Sequence, residues 1–476
     1  MRNRITAIFL VLMFLLCASA AAESRRDEVH RYVSVGPIHD GRTWALWVEE
    51  DAVNPWKEGV RYIIDTHGNQ LTDETVTVSD RPYSEGLVTV RKDGKAGCLD
   101  TAGNVAVPFA FDIIFEFMNG AAIARMGEKY GLIDRQGNWL LSCEWDDIWP
   151  LLPDRTMYVL KKNGVYSLAN EKGEVILPCS FAYVSSYGFM NGLLLVGNEQ
   201  GYGYVNTRGE MAIPCQWYAA LDFRNGYAFV YTKDHEVGYI DAAGRLLFLL
   251  PEDWMINCYE AICEGLLRVT KDGQYGYVDT AGALTIPFRD WEFADEFSEE
   301  RALVRRGGQY GYIDPTGAEV IPCQWDDAWP FYKGYALVEK NGECQVIDRE
   351  GNITASVGKV YVDGTMNSDC RYKIYEEKDG KNKYGLLRYD GVLITACQWD
   401  SIGWIGTDAW ASVEEIVDVS LSDGPDAGEK IGFIRLDNGE MIIPCEYDDG
   451  YYSEGYFSLI QNGYLTILDR EGKIVF

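Results

Sequence analysis

The chain has 476 residues, of which 47% are hydrophobic and 24% are charged, a balance typical of a globular rather than a disordered protein. Its 73 acidic residues outnumber 43 basic ones and give a net charge of −30, which disfavours nucleic acid and anionic lipid as direct partners. The 31 Tyr, 14 Trp and 49 Gly residues suit short strands joined by tight turns, so the composition indicates an all-β protein.

The first 22 residues differ from the rest of the chain. Arg2 and Arg4 precede an apolar run over residues 5–16, and small residues at 18–22 offer a cleavage site. This pattern predicts a signal peptide over residues 1–22, with an uncleaved anchor as the alternative. A lipidated Cys17 fits less well, because Leu16 stands where a small residue is needed. We expect a secreted or cell-envelope protein without a membrane span after cleavage, when loss of two arginines brings the charge to −32.

From residue 68 onward, one glycine recurs about every 35 residues, with two longer spacings of 40 and 48. Ten of the twelve glycines have Asp or Asn three residues earlier. The Asx side chain caps a type I turn, and glycine accepts the positive φ that follows it. The reference glycines are Gly68, Gly103, Gly137, Gly173, Gly209, Gly244, Gly282, Gly317, Gly351, Gly391, Gly439 and Gly472.

Each repeat reads as three short strands separated by turns. In the repeat that ends near residue 322, the strands are predicted at 302–304, 310–314 and 319–322, and a link containing Trp329 follows. A single meander of this size buries too little apolar surface to be stable alone. The sequence therefore predicts an all-β tandem array of about twelve three-stranded antiparallel meanders packed on one another. An open curved array is the first expectation for this monomer, and a propeller-like arrangement is the alternative.

The repeats resemble the WG-repeat (KWG-type) proteins of bacteria. The resemblance rests on the segments 129–134, 274–279 and 309–314, followed where the pattern is fullest by an Ile-Pro-Cys-x-aromatic segment such as 321–325. It covers roughly residues 59–476, although Tyr replaces the Trp of the family name in every clear copy. The resemblance implies a surface or secreted interaction protein, without a settled activity.

The regularity of the repeat suggests four parts. Residues 1–22 are the signal peptide, residues 23–80 an N-terminal cap with a degenerate repeat, and residues 81–355 the regular repeats. Residues 356–476 hold C-terminal repeats with two insertions, at 356–382 and 414–429. Insertions in repeat proteins map to loops on one face, and these two are either binding loops or simple variation in loop length.

Residues that could carry chemistry mostly recur with the repeat. Six cysteines occupy one position that also accepts Phe, which indicates apolar packing, while Cys258 and Cys263 are a possible disulfide outside that position. The pairs Asp146-Asp147, Asp326-Asp327 and Asp448-Asp449 share one phase, so turn capping explains them better than catalysis. Four scattered histidines provide neither a catalytic triad nor a metal site. We expect no enzyme, no cofactor and no metal. The six repeat-position cysteines are Cys143, Cys179, Cys215, Cys323, Cys397 and Cys445.

Two sets of aromatic residues also follow the repeat. The first set, eight residues after the reference glycine, is expected in the core between repeats. The second set lies four residues later, in the link, where exposure is more common. From it, and from the segment just before the last insertion, we select four candidate binding residues, Trp149, Trp329, Trp404 and Trp410. The first set comprises Trp145, Phe181, Trp217, Trp325, Trp399 and Tyr447.

The sequence thus favours a secreted or cell-surface scaffold that binds protein or cell-wall polysaccharide without catalysis. Two alternatives stay open at this point. A secreted glycan hydrolase predicts acids that converge in one deep pocket, and a purely structural spacer predicts no exposed aromatic cluster.

Overall fold

The computed structural model describes residues 31–48, 60–73, 75–78, 83–151, 156–256, 260–363, 371–403, 416–421 and 429–476. All regular structure within these ranges is β-strand, as predicted. The chain divides into two compact units, one formed by Met1–Pro82 with Glu446–Phe476 and the other by Tyr83–Cys445. The predicted signal peptide lies outside the described residues. The part boundaries at 80 and 355 remain predictions.

The larger unit is a succession of small antiparallel sheets. Its strands, grouped by sheet, are β5 (Leu87–Lys92), β6 (Lys95–Asp100) and β7 (Val105–Phe111); β8 (Ile113–Ile114), β9 (Ala121–Met126), β10 (Lys129–Asp134) and β11 (Trp139–Trp145); β12 (Asp147–Pro150), β13 (Met157–Lys162), β14 (Val165–Asn170) and β15 (Val175–Phe181); β16 (Tyr183–Val184), β17 (Leu193–Asn198), β18 (Gly201–Asn206) and β19 (Met211–Trp217); β20 (Ala219–Ala220), β21 (Tyr227–Tyr231), β22 (Val237–Asp241) and β23 (Leu246–Leu249); β24 (Leu266–Lys271), β25 (Gln274–Asp279) and β26 (Leu284–Arg289); β27 (Phe293–Ser298), β28 (Arg301–Arg306), β29 (Gln309–Ile313) and β30 (Glu319–Trp325); β31 (Asp327–Ala328), β32 (Tyr335–Lys340), β33 (Glu343–Asp348) and β34 (Ile353–Gly358); β35 (Tyr361–Val362), β36 (Arg371–Lys378), β37 (Lys381–Arg388) and β38 (Leu393–Trp399); and β39 (Ser401–Ile402), β40 (Ile416–Leu421), β41 (Lys430–Arg435) and β42 (Met441–Tyr447).

The smaller unit contains two meanders from opposite ends of the sequence. Its strands are β1 (Arg31–Val35), β2 (Arg42–Val48), β3 (Val60–Asp65), β4 (Thr77–Val78), β43 (Asp449–Ser453), β44 (Tyr456–Gln461) and β45 (Tyr464–Asp469). Strand β1 packs against β43, β44 and β45. The Ser34 hydroxyl donates to Asp449 Oδ2 over 2.7 Å, and the Ser458 hydroxyl donates to the Gly36 carbonyl over 2.7 Å. The first and last sheets of the described part of the chain are therefore in direct contact within this unit.

Most sheets of the larger unit have a fourth strand that the sequence did not predict. The link after each third strand pairs with the first long strand of the next meander, as β31 does with β32. This pairing provides hydrogen-bond partners for backbone groups at an edge that the meander alone would leave exposed. The sheet β24–β26 has no such fourth strand among its described residues. Part of the first insertion lengthens the hairpin β36–β37, whose strands have eight residues each.

The apolar core lies between sheets rather than within one sheet. Every consecutive pair of sheets from β5–β7 to β39–β42 shares a cluster of buried apolar side chains. The middle strand of each meander is covered on both faces, which is why Leu132 and Ile133 on β10 are both fully buried. This face-to-face succession of small sheets is the packing of propeller blades, so the propeller-like form of the predicted array is confirmed.

The turn predicted at the reference glycines is also confirmed. At Asp314, one carboxylate oxygen accepts hydrogen bonds from the backbone N–H groups of Thr316 and Ala318 over 2.9 and 3.0 Å. The Gly317 N–H donates to the Asp314 carbonyl, and the φ of Gly317 is +79°. All ten Asx-Gly turns repeat this pattern of a hydrogen-bonded turn that ends in a glycine with positive φ.

Candidate functional site

Two of the four candidate binding tryptophans lie in the described part of the chain, and both are half-buried. Trp149 on β12 packs edge to face with Tyr166, with ring centroids 5.8 Å apart. Trp329 follows β31 and lies 6.4 Å from the ring of Tyr372. They contribute to separate apolar clusters five repeats apart, so the structure does not bring them together. Trp404 and Trp410 lie outside the described residues.

The first aromatic set is buried between sheets, as predicted. Trp145, Trp217, Trp325 and Trp399 expose at most 8% of their surface, and Phe181 is equally buried. Tyr447, the last member, is half-buried. The five buried rings pack the core between sheets and leave no surface for a ligand.

The paired carboxylates cap hairpins, as predicted. Asp326 Oδ2 accepts a hydrogen bond over 2.6 Å from the N–H of Asn341, the positive-φ residue of the following hairpin. Asp146 makes the same bond to Asn163 over 2.7 Å, and a hydrogen bond from Lys129 lowers the pKa of its carboxyl group. A carboxylate in this position stabilises a strained turn.

The cysteines of the repeat position pack as apolar side chains. Cys215 and Cys397 are buried, and Cys323 and Cys445 are half-buried. Burial raises the pKa of the Cys397 thiol to about 11, so it is protonated at neutral pH. Within the described residues the cysteines form no disulfide with one another. Cys258, the possible partner of Cys263, lies outside those residues.

Side chains from three consecutive repeats line one pocket of the larger unit. It has a volume of about 120 Å³ and is lined by the segments before β17, β21 and β24, together with residues of β21 and β22. Tyr187 and Met190 come from the first link, and Asp222 and Arg224 from the second. Glu260 comes from the third. The pocket therefore combines aromatic, apolar and acidic groups from three repeats.

Within the described residues, one carboxylate oxygen of Asp222 accepts a hydrogen bond and the other does not. Its Oδ2 accepts a hydrogen bond from the Ser185 hydroxyl over 2.9 Å. Its Oδ1 is shielded from water and has no hydrogen-bond partner among the described residues. Burial raises the pKa of this carboxyl group, against the lowering effect of Ser185. A buried acceptor without a donor costs free energy.

Glu260, another residue of the pocket wall, also has one paired and one unpaired carboxylate oxygen among the described residues. Only 9% of its surface is exposed, and its Oε1 is ion-paired with Arg268. Its Oε2 is buried and also lacks a partner among the described residues. Burial raises the pKa of Glu260, although the hydrogen bond from Arg268 opposes the shift. The pocket thus contains two partly satisfied carboxyl groups.

Aromatic rings complete the wall. Tyr187 is 68% exposed at the rim, while Phe229 and Tyr239 are buried at the base. The Tyr239 hydroxyl donates to the Glu260 carbonyl over 3.0 Å, which fixes the backbone beside the carboxylate. A concave site lined by rings with a few fixed polar groups is typical of ligand binding.

Sequence analysis missed this pocket, although one signal was present. The spacing from Gly244 to Gly282 is 38 residues rather than 35, and Glu260 lies in that longer link. The same link precedes β24–β26, a sheet that has no short first strand among the described residues. The longer link in the sequence therefore coincides with the pocket in the structure.

The described ranges contain no cluster of three or more His, Cys, Asp and Glu side chains arranged to hold a metal ion. They also contain no helix long and apolar enough to cross a membrane.

Six segments of the chain match the sequence model of the WG containing repeat, at residues 97–130, 130–164, 202–234, 275–310, 310–344 and 431–464. The chain is a WG-repeat protein. Each matched segment begins at or beside the second strand of a meander, where an aromatic residue precedes glycine in most copies.

The glycine of the WG repeat is required by the approach of the third strand. Tyr310 pairs with Trp325 and Tyr312 pairs with Ile321, so the third strand bulges opposite Gly311. A Cβ atom on Gly311 would lie 2.6 Å from the Cys323 nitrogen and 2.6 Å from the Ile321 carbonyl oxygen. Only glycine fits at this distance from a backbone.

Several solved structures of other proteins show a distant likeness. A eukaryotic initiation factor is 10% identical with a TM-score of 0.32, and the match covers 74% of this chain and 94% of that one. BamB from Moraxella catarrhalis is 11% identical with a TM-score of 0.26, covering 60% and 91%. Hsv2 from Kluyveromyces lactis is 8% identical with a TM-score of 0.28, covering 61% and 98%. These scores carry no argument about function. No curated protein matches the sequence.

Proposed function

We propose that this WG-repeat protein is a non-catalytic scaffold outside the cytoplasmic membrane that binds a protein or a cell-wall glycan. The signal-peptide pattern of residues 1–22 supports the location. A net charge of −30 keeps so large a protein soluble and favours partners with basic surfaces.

The observation that carries the proposal is the contrast between repeat positions and the pocket. Repeat-phase carboxylates such as Asp314 and Asp326 are engaged in turns, and repeat-phase cysteines are packed in the core. The pocket, by contrast, combines an exposed Tyr187 with apolar and acidic side chains from three repeats. A concave site lined by rings and a few polar groups is suited to binding.

Glycan hydrolysis is a second candidate, because two carboxyl groups line one pocket as that alternative predicts. Hydrolysis needs one carboxyl group as acid and another that contacts the sugar carbon or a water molecule. Here Glu260 is ion-paired with Arg268, and the unpartnered oxygens of Asp222 and Glu260 are shielded from water. Binding therefore ranks above hydrolysis.

A purely structural spacer is disfavoured by the exposed rings. Tyr183 at the edge of β16 packs edge to face with Tyr202, and Tyr218 packs edge to face on His235. Tyr187 is exposed in the link that follows β16. A spacer gains nothing from exposed rings on neighbouring sheets, whereas a binding surface does.

The experiment is a capture assay with residues 23–476 against the cell envelope and the secreted proteins of the source cell, with bound material identified and then bound again in purified form. Tyr187→Ala, Trp149→Ala and Trp329→Ala test the pocket rim and the two links. Tyr464→Ala, an exposed ring that does not line the pocket, is the control. We expect at least a tenfold loss of binding for one of the first three variants and no loss for the control. Release of reducing sugar without any capture would overturn the scaffold in favour of the hydrolase.

A further inference from the structure

Three tyrosine rings form a row on one face of the sheet β35–β38. Tyr361 on β35 pairs with Tyr375 on β36, and Tyr375 pairs with Tyr384 on β37. The rings of Tyr361 and Tyr375 are stacked, with centroids 5.1 Å apart and planes 24° from parallel, and the ring of Tyr384 lies 5.9 Å from that of Tyr375. We propose that this row binds a neutral polysaccharide chain by stacking on its sugar rings. The inference rests on the proposed scaffold function and selects a glycan as the partner.

The row departs from the repeat at Tyr375. In two other sheets the same position holds a basic residue that covers the tyrosine of the next strand. Lys161 lies 5.5 Å from the ring centroid of Tyr166, and Arg305 lies 5.3 Å from that of Tyr310. In the sheet β35–β38 a ring takes the place of that cation. The aromatic surface therefore extends across three strands instead of being covered by a charge.

One face of the Tyr361 ring is open to a ligand. Strand β35 lies at the edge of its sheet, and 58% of the Tyr361 surface is exposed. Among the described residues its side chain makes no hydrogen bond, and its one ring contact is the stack on Tyr375. That stack holds the ring in place before a ligand arrives, which lowers the entropic cost of binding.

A fixed carboxylate lies beside the rings on the same face of the sheet. Asp363 follows Tyr361 by two residues, and its N–H donates to the Lys373 carbonyl, which continues the pairing of the two strands. Asp363 Oδ2 lies 3.5 Å from Lys373 Nζ, and both side chains are partly exposed. Lys373 also donates to the Ile402 carbonyl over 3.3 Å and lies 4.4 Å from the ring centroid of Tyr384. Lys373 therefore orients Asp363, whose second carboxylate oxygen can accept from a hydroxyl group.

The first insertion supplies more polar groups at the other end of the row. Strands β36 and β37 have eight residues each, whereas the corresponding strands of the two neighbouring sheets have six. The added residues include Glu377 and Asn382, which pair across the hairpin and are exposed. Glu377 lies two residues from Tyr375 and so shares its face of the sheet. The insertion thus supports the interpretation of a binding element rather than simple variation in length.

This combination of groups fits a sugar ring. A pyranose has C–H groups on its faces and hydroxyl groups around its rim. The C–H groups carry partial positive charge and are attracted to the face of an aromatic ring. Hydroxyl groups donate to carboxylates such as Asp363 and Glu377 and accept from an amide such as Asn382. A β-1,4-linked chain fits best, because its ring substituents are equatorial and leave both faces of each sugar as C–H surface.

The test measures binding of N-acetylchitohexaose and cellohexaose to the chain from residue 23, by calorimetry or by saturation-transfer NMR. The matched probe is acetyl-hexaproline amide, which also stacks on tyrosine rings but has no hydroxyl groups. We expect at least one oligosaccharide to bind at millimolar concentration, and hexaproline to bind about tenfold more weakly or not at all. Equal binding of hexaproline overturns the choice of a glycan. Failure of both oligosaccharides to bind overturns the site.

Three variants locate the site. Tyr361→Ala removes a mostly exposed ring, leaves the core unchanged and is expected to weaken oligosaccharide binding about tenfold. Tyr361→Trp restores a ring at the same place and should retain binding. Tyr218→Ala, which removes an equally exposed ring outside the row, is the control and should bind as the parent chain does. Unchanged affinity in a folded Tyr361→Ala variant, or an equal loss in Tyr218→Ala, overturns the proposal.

The outcome separates this inference from the scaffold function. Capture of an envelope protein that survives Tyr361→Ala, with no binding of either oligosaccharide, overturns the glycan site and leaves the scaffold intact. Binding of an oligosaccharide together with failure to capture any envelope component supports the glycan site and counts against the scaffold.

Discussion

Gly311 illustrates how a single position of the WG repeat governs the geometry of a whole sheet. Replacing it with alanine places a Cβ atom against the Cys323 nitrogen and the Ile321 carbonyl oxygen, both at 2.6 Å. The bulge of β30 would have to move away and lose its pairing with β29. We expect Gly311→Ala to lower the free energy of unfolding by about 2–4 kcal/mol, as measured by denaturant titration.

Gly342→Asn is the matched control for that variant. Gly342 lies in a hairpin turn with a φ of +76°, and a Cβ atom there would meet nothing within 4 Å. Asn tolerates this conformation, so the variant is expected to stay within about 0.5 kcal/mol of the parent chain. Equal destabilisation by the two substitutions would show that the contact at the bulge is not what makes Gly311 necessary.

Residue positions were predictable where the contact is local. Asp314 and Gly317 are three residues apart, and the turn they form depends on nothing farther along the chain. The capping role of Asp326 was predictable because paired carboxylates recur at its position in the repeat, although its partner Asn341 is fifteen residues away. The pocket carboxylates escaped prediction because their surroundings come from three repeats, and the sequence shows only the longer link that contains Glu260.

At the scale of elements, acidic side chains join the tight turn of one repeat to that of the next. Glu299 accepts hydrogen bonds from the N–H groups of Lys333 and Gly334 over 2.5 and 2.7 Å, and from Arg349 over 3.0 Å. Glu264 does the same for Glu299 and Glu300 one repeat earlier. These bonds hold the first turns of neighbouring sheets in register.

We predict that Glu299→Ala lowers the free energy of unfolding by about 1–3 kcal/mol, because two backbone donors and Arg349 lose a charged acceptor together. Thermal or denaturant unfolding measures the change. Glu343→Ala, an exposed residue at the start of β33, should have no more than a small effect. If the two variants behave alike, the contact between turns contributes nothing to stability.

The long strands could be predicted from the sequence, whereas the short ones could not. The three long strands of each meander were foreseen, since their alternating pattern and turn residues are local. The short fourth strand was not, because a strand of two residues such as β31 has no periodicity and forms only by pairing with β32. The bonds between turns left a faint signal, the Glu or Asn before glycine at 85, 119, 191, 225 and 264.

At the scale of the whole molecule, two sheets more than 400 residues apart in sequence fold as one compact unit. Phe457 on β44 is fully buried, and Val35 on β1 is fully buried in the same unit. Phe457→Ala removes a large core side chain, which typically costs about 3–5 kcal/mol. We predict faster amide hydrogen exchange in β1 and β2 as well as in β43–β45, because residues of one cooperative unit open together.

Phe331→Ala is the matched control, since Phe331 is equally buried between the sheets β27–β30 and β31–β34. Its loss should raise exchange in those two sheets and leave β1 and β2 protected. Exchange that rises only in β43–β45 after Phe457→Ala would mean that the hydrogen bonds of Ser34 and Ser458 do not couple the two sheets. Faster exchange in both sheets would mean that β1–β3 and β43–β45 stabilise one another. Truncation of either sheet would then weaken the other.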